Sequence, residues 1–170
     1  AQINYSSKSQ RWKLPDRYYT KLIEGVRFVF IDTTPFIKEY YSTGQYPDLI
    51  QQDTTRQLHW LDSVLSASTE KWKVVIGHHP VYSLGDHGTE QDMVLKLKPR
   101  FTKYKVPVYF AGHDHSLQSL KEHGQDLHYL VSGGGAEHTQ IITDQAITRF
   151  ALGTSGFMAV ALSANKMKIY

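Results

Sequence analysis

Val106-Pro107-Val108-Tyr109-Phe110-Ala111-Gly112-His113-Asp114-His115 is an apolar run that ends in Gly-His-Asp-His. Thirty-five residues before His113, Val74-Val75-Ile76-Gly77-His78-His79-Pro80 repeats the design. Short unbroken apolar runs rich in β-branched and aromatic side chains read as buried strands. Ligand sites in α/β sheets lie beyond the carboxyl ends of such strands. Two buried strands that both end in Gly-His therefore point to an α/β layered domain with histidines gathered at one end. Residues i and i+2 of an extended segment share a face, so His113 and His115 are expected to project together.

The rest of the chain fits around this pair. Leu58, Leu61 and Leu65, with Trp60 and Val64, predict an amphipathic helix over Thr55–Ala67. Val94, Leu97, Phe101 and Tyr104 predict another over Gln91–Tyr104, kinked at Pro99. Arg17–Ile23 and Val26–Asp32 flank Glu24-Gly25 as a β-hairpin. Leu127–Ser132 reads as a strand, and Gly156–Leu162 with Lys166–Tyr170 as a closing hairpin. Residues 33–54 show no periodicity and read as a long surface loop, a kind of segment that often carries function.

Composition narrows the function. At 170 residues, with 41% hydrophobic and 12% aromatic content, the chain reads as one globular unit. A net charge of +3 spread over scattered Lys and Arg gives no nucleic-acid signature. No apolar run approaches the roughly 20 residues that span a bilayer, so no membrane partner is expected, and Ala1–Gln10 does not read as a signal peptide. Zero cysteines exclude disulfides, thiolate chemistry and Cys-ligated zinc. Nine histidines remain, so any metal must be held by imidazole and oxygen.

With that many histidines, chance supplies about 0.5 His-x-His pairs, but a preceding glycine cuts the number to roughly 0.03. Gly112-His113-Asp114-His115 is thus informative, and Gly77-His78 closing the preceding strand makes it more so. These two blocks resemble the last two of the calcineurin-like metallophosphoesterases. His78-His79-Pro80-Val81-Tyr82-Ser83, Asp86-His87-Gly88, the extension to Ser116-Leu117-Gln118, the Ser132–Gly135 run and the Gly156-Phe157-Met158-Ala159-Val160 hairpin resemble the purple acid phosphatase branch, especially its small mammalian-type members.

The resemblance implies the C-terminal half of a four-layer α/β/β/α sandwich with mixed sheets, and a metal-dependent acid phosphatase acting on small phosphorylated substrates, the monoesters. It implies a dinuclear centre of iron with a divalent ion (zinc, iron or manganese). His78 and His113 would hold the divalent ion, His115 the ferric iron, and His87 would contact the phosphate or protonate the leaving group. His79 stands where the family commonly has an aromatic residue and is expected to be structural or to sit behind the ligands, as are Asp114, Gly133 and Gly134. The 36–54 loop resembles one that overhangs the site in small relatives. Relatives are mostly secreted, periplasmic or lysosomal.

Three earlier blocks of the family pattern are missing. Asp86-His87-Gly88 and Gly85-Asp86 mimic two of them formally but follow His78 instead of preceding it, and no Asn-His pair occurs. Three neutral imidazoles cannot neutralise a ferric and a divalent ion, which need a shared anion. The expectation is that residues 1–170 are the C-terminal portion of one domain, inactive alone, whose partner is the N-terminal portion. Two alternatives stay open: a calcineurin-like phosphodiesterase or nuclease, and a non-catalytic half-domain that binds one divalent ion.

Overall fold

The computed structural model describes residues 2–170. Its elements are α1 (Gln2–Tyr5), β1 (Tyr19–Ile23), β2 (Val26–Phe30), three 3-10 turns (Thr34–Phe36, Lys38–Tyr41, Pro47–Gln51), α2 (Thr54–Ala67), β3 (Trp72–Ile76), α3 (Gln91–Lys103), β4 (Val108–Ala111), β5 (Leu117–Leu120), β6 (His128–Ser132), β7 (Thr148–Leu152), β8 (Val160–Leu162) and β9 (Met167–Ile169). Glu24 and Gly25 both take positive φ, 48° and 77°. That is the backbone a two-residue hairpin turn needs to match strand twist.

Seven strands form one mixed sheet in the order β1-β2-β3-β4-β6-β5-β7, and β8-β9 form a separate pair. The central strands β2, β3, β4 and β6 run parallel, while β1, β5 and β7 pair antiparallel with their neighbours. Alternation decides which face each residue covers. Val29, Val75, Tyr109 and Tyr129 pack with Leu61, Leu65, Met93, Leu97 and Phe101 of the two long helices. Val74, Val108 and Leu130 meet Met158, Val160, Leu162, Met167 and Ile169 around the β8-β9 pair. Of the expected α/β/β/α layers, the described residues build α/β/β.

Each long helix buries one residue per turn: Gln57, Leu61 and Leu65 in α2, and Met93, Leu97 and Phe101 in α3. Asp53 caps α2 by accepting the Arg56 N–H at 2.8 Å. α3 runs through Pro99 to Lys103. The missing proline N–H falls opposite the carbonyl of Leu95, whose side chain is on the exposed face, where water can replace it. No described helix is long and apolar enough to cross a membrane.

Two strands were not anticipated. β5 is Leu-Gln-Ser-Leu with all four residues buried, so no apolar alternation marks it. β7 is an edge strand, mostly exposed. The 33–54 segment folds into three short 3-10 turns instead of an open loop.

Candidate metal centre

β3 and β4 lie side by side and in register, Ile76 opposite Phe110. Two further backbone bonds extend the ladder past the strand ends, Gly77 N–H to Phe110 O at 3.0 Å and Gly112 N–H to His78 O at 2.9 Å. His78 and His113 therefore leave the sheet together. Gly77 is sterically required: a Cβ there would stand 2.5 Å from the Tyr109 hydroxyl and 2.6 Å from the Thr33 methyl. The glycine before His78 is a packing demand of the strand end.

His113 Nδ1 and His78 Nε2 lie 3.2 Å apart. Burial lowers the pKa of His113 to about 4, with the charges of His87, His78 and His115 adding to the effect. Burial and the charges of His115 and His87 also lower that of His78. Both shifts favour the neutral imidazole, the form that binds a metal, and the two facing nitrogens share one hydrogen bond in which one donates and the other accepts. Two clusters place three candidate ligand atoms within 4.8 Å of one another: His78, His79 and His113, and Asp86, His87 and Asp114.

His115 belongs to neither cluster. Its Nδ1 faces Glu137 Oε2 at 3.5 Å, yet its charge is felt at His78 and His113. The expected extended His-x-His is corrected here. His113 has φ of +67°, and two tight turns follow, Asp114 N–H to Gly112 O and Ser116 N–H to Asp114 O, each at 2.8 Å. A left-handed histidine costs about 1–3 kcal/mol and persists only when its surroundings over-determine it. What fixes it is Asp114, 0% exposed between the two histidines.

Asp114 accepts a hydrogen bond from Ser83 Oγ and one from the His87 N–H at 3.1 Å. Burial raises its pKa, and the neighbouring Asp86 pushes in the same direction. Gln118 donates to Ser83 Oγ at 3.0 Å and accepts from Leu84 N–H at 2.9 Å. This network shapes the 83–88 turn and lays the His87 ring on that of His113, centroids 4.1 Å apart. Gly133 and Gly134 sit behind it, where Cβ atoms would stand 2.0 Å from Asp114 O and 2.5 Å from Thr154 O.

His79 lies against the pair, its ring 4.7 Å from that of His78 and 4.5 Å from that of His113, but its nitrogens are taken up elsewhere. It is 3% exposed, and both ring nitrogens are engaged, Nδ1 by Thr33 Oγ1 at 2.7 Å and Nε2 by Tyr40 Oη at 2.9 Å. Burial and three neighbouring imidazoles hold its pKa at about 3. Although its ring atoms fall within range of the pair, those hydrogen bonds occupy both positions a metal would need. Gln57 of α2 clamps Asp32, accepting its N–H and donating to its C=O, both at 2.9 Å, and so fixes the adjoining Thr33. Sequence reasoning missed Thr33, Tyr40, Gln57 and Glu137. Ser83 and Gln118 lay inside motif runs and were findable there. Thr33 and Tyr40 lie in a segment without periodicity and carried no signal.

The calcineurin-like phosphoesterase family model matches residues 4–117. The chain is 32% identical over 180 residues to purple acid phosphatase 7 of Arabidopsis thaliana, covering 99% of this chain and 54% of that protein. It is 31% identical over 193 residues to human tartrate-resistant acid phosphatase type 5, covering 99% and 57%. The chain thus spans about half the length of these curated relatives. Among solved structures it is similar to GAP50, the anchor in the inner membrane complex of Plasmodium, with TM-score 0.80, 20% identity and coverage of 99% and 55%. It is also similar to a purple acid phosphatase from yellow lupin (Lupinus luteus) seeds, with TM-score 0.66, 18% identity and coverage of 84% and 28%. The matched span holds both Gly-His strand ends, and this chain belongs to the calcineurin-like phosphoesterase family, with purple acid phosphatases among its relatives.

Proposed function

We propose that these residues form part of a metal-dependent acid phosphatase that hydrolyses phosphate monoesters at a centre of ferric iron and a divalent ion, zinc, iron or manganese. The observation that carries this reading is the convergence of His113 Nδ1 and His78 Nε2 to 3.2 Å beyond two adjacent parallel strands. The neutral donor set fits a divalent cation of borderline softness. His78 and His113 would hold the divalent ion, and His115, set apart from that cluster, would serve the iron. The bound metal pair would polarise the phosphoryl oxygens and activate the attacking water.

His87, exposed at the rim on the face of His113, is placed to hydrogen-bond a phosphate oxygen or to give a proton to the leaving oxygen. Asp114 and Ser83 hold that turn in place, and the glycines behind it let the backbones approach. An imidazole that ligates a metal is a neutral donor, so the anionic ligands would come from the N-terminal portion of the same domain, outside residues 1–170. These residues alone would then turn over nothing.

The test is metal content and ester preference of the intact protein. About two metals per chain, one of them iron, with hydrolysis of p-nitrophenyl phosphate far exceeding that of its bis-ester, is the expected result. No iron and less than one divalent ion per chain would sink the phosphatase reading in favour of a binding role. A preference for the bis-ester would make it a phosphodiesterase.

A further inference from the structure

Pro80 keeps His79 out of helical backbone. Its ring meets that of His78 edge to face, centroids 4.7 Å apart, and lies 4.5 Å from that of His113. The ring therefore stands between the candidate metal site and the 33–51 segment, whose Thr33 and Tyr40 engage its two nitrogens. Four hydrogen bonds hold His79. Its N–H donates to Thr33 Oγ1 at 3.1 Å. Its C=O accepts from the Tyr109 hydroxyl at 2.6 Å. Its two ring nitrogens meet Thr33 and Tyr40 as described.

Tyr40 in turn belongs to the 3-10 turn Lys38–Tyr41 and packs on Tyr46, centroids 4.9 Å apart. The same turn is tied to α3 through Lys38 N–H and Asp92 Oδ2 at 2.9 Å. Burial raises the pKa of Tyr40, so its phenol stays neutral and able to share a proton with His79. A further bond, Gly112 N–H to His78 O, holds the other end of the peptide that joins the two histidines.

We propose that His79 is a positioning residue: through Thr33 and Tyr40 it couples the seating of the 33–51 segment to the orientation of the candidate metal ligand His78. With the segment docked, the 78–79 peptide has one orientation and the His78 lone pair is aimed beside that of His113. With the clasp open, the 78–79 peptide loses its bond to Thr33 and keeps only the one from Gly112 N–H, so the ligand pair is held less rigidly. The inference rests on the metal-centre reading of His78 and His113, not on which ester the protein hydrolyses. Groups behind ligands that orient them typically govern metal affinity by about 10–100-fold.

The test uses the intact protein with Co2+ as probe, titrated against a chromophoric chelator, and measures protease cleavage between residues 40 and 51 in parallel. Tyr40→Phe and Thr33→Val are expected to weaken Co2+ binding about tenfold and to speed cleavage of the segment. Thr33→Ser, which restores the hydroxyl, is expected to return both to wild-type values. Loss of thermal stability with Co2+ affinity and absorption spectrum unchanged in Tyr40→Phe and Thr33→Val would overturn the proposal, since the clasp would then be only structural. So would a His79→Gln variant that folds and loses as much affinity as His113→Gln, because His79 would then be a ligand itself. A wild type without phosphatase activity would defeat the functional reading and leave these measurements standing.

Discussion

Gly133→Ala places a methyl group 2.0 Å from the Asp114 carbonyl oxygen and 2.9 Å from its carbonyl carbon. Ordinary contact begins near 3.4 Å, so the two backbones must part by roughly 1.4 Å. The Gly133 N–H to Ser116 O bond, 3.0 Å long, joins the same two stretches and must lengthen as they part. Overpacking of this kind costs about 1–3 kcal/mol, and a weakened backbone hydrogen bond adds about 1, for a total of about 2–4 kcal/mol. With a urea slope of about 2 kcal/mol/M for a small domain, the unfolding midpoint falls by about 1–2 M. Gly135→Ala is the control, because nothing lies within 4 Å of its Cβ position and its effect is expected within about 0.5 kcal/mol. Urea unfolding followed by tryptophan fluorescence measures both. Co2+ affinity should fall in Gly133→Ala alone, since Asp114 fixes the turn that carries His113 and His115. Midpoints of the two variants within 0.3 M of each other would refute the reasoning.

His79 gives a pH prediction. Its folded pKa of about 3 lies below the model-peptide value of 6.5, so the unfolded chain takes up a proton first as pH falls. Stability from this group is whole above about pH 6.5 and is lost as pH drops toward 3. For the chelated, metal-free protein the loss from pH 7 to pH 4.5 is about 2 kcal/mol. His79→Phe should remove that part of the slope in urea unfolding, and equal slopes would reject the assignment. Tyr109→Phe strands the His79 carbonyl that accepts its hydroxyl, and is expected to cost about 1–2 kcal/mol, read as a lower melting temperature. Leu97→Ala, at a fully buried position in α3, should cost about 2–5 kcal/mol while leaving Co2+ affinity unchanged.

The sequence by itself determined where the histidines emerge. Val74–Ile76 and Val108–Ala111 are apolar because both faces of those strands are covered, by helices on one side and the β8-β9 pair on the other. A strand so covered announces itself in composition, and its end is marked where the apolar run stops. Helix periodicity in Leu58, Leu61 and Leu65 is equally local, and so is the Glu24-Gly25 turn. Only the tertiary structure decided which imidazoles share a site. His78 meets His113 because β3 and β4 are neighbours in register, and the ring nitrogens of His79 are taken up by Tyr40 and by Thr33, 46 positions away. The tight turn at His113 was likewise hidden, since it is fixed by buried Asp114 and its bonds to Ser83 and His87. Local sequence encodes backbone preference and burial period, whereas contacts between distant side chains exist only once packing has brought their elements together.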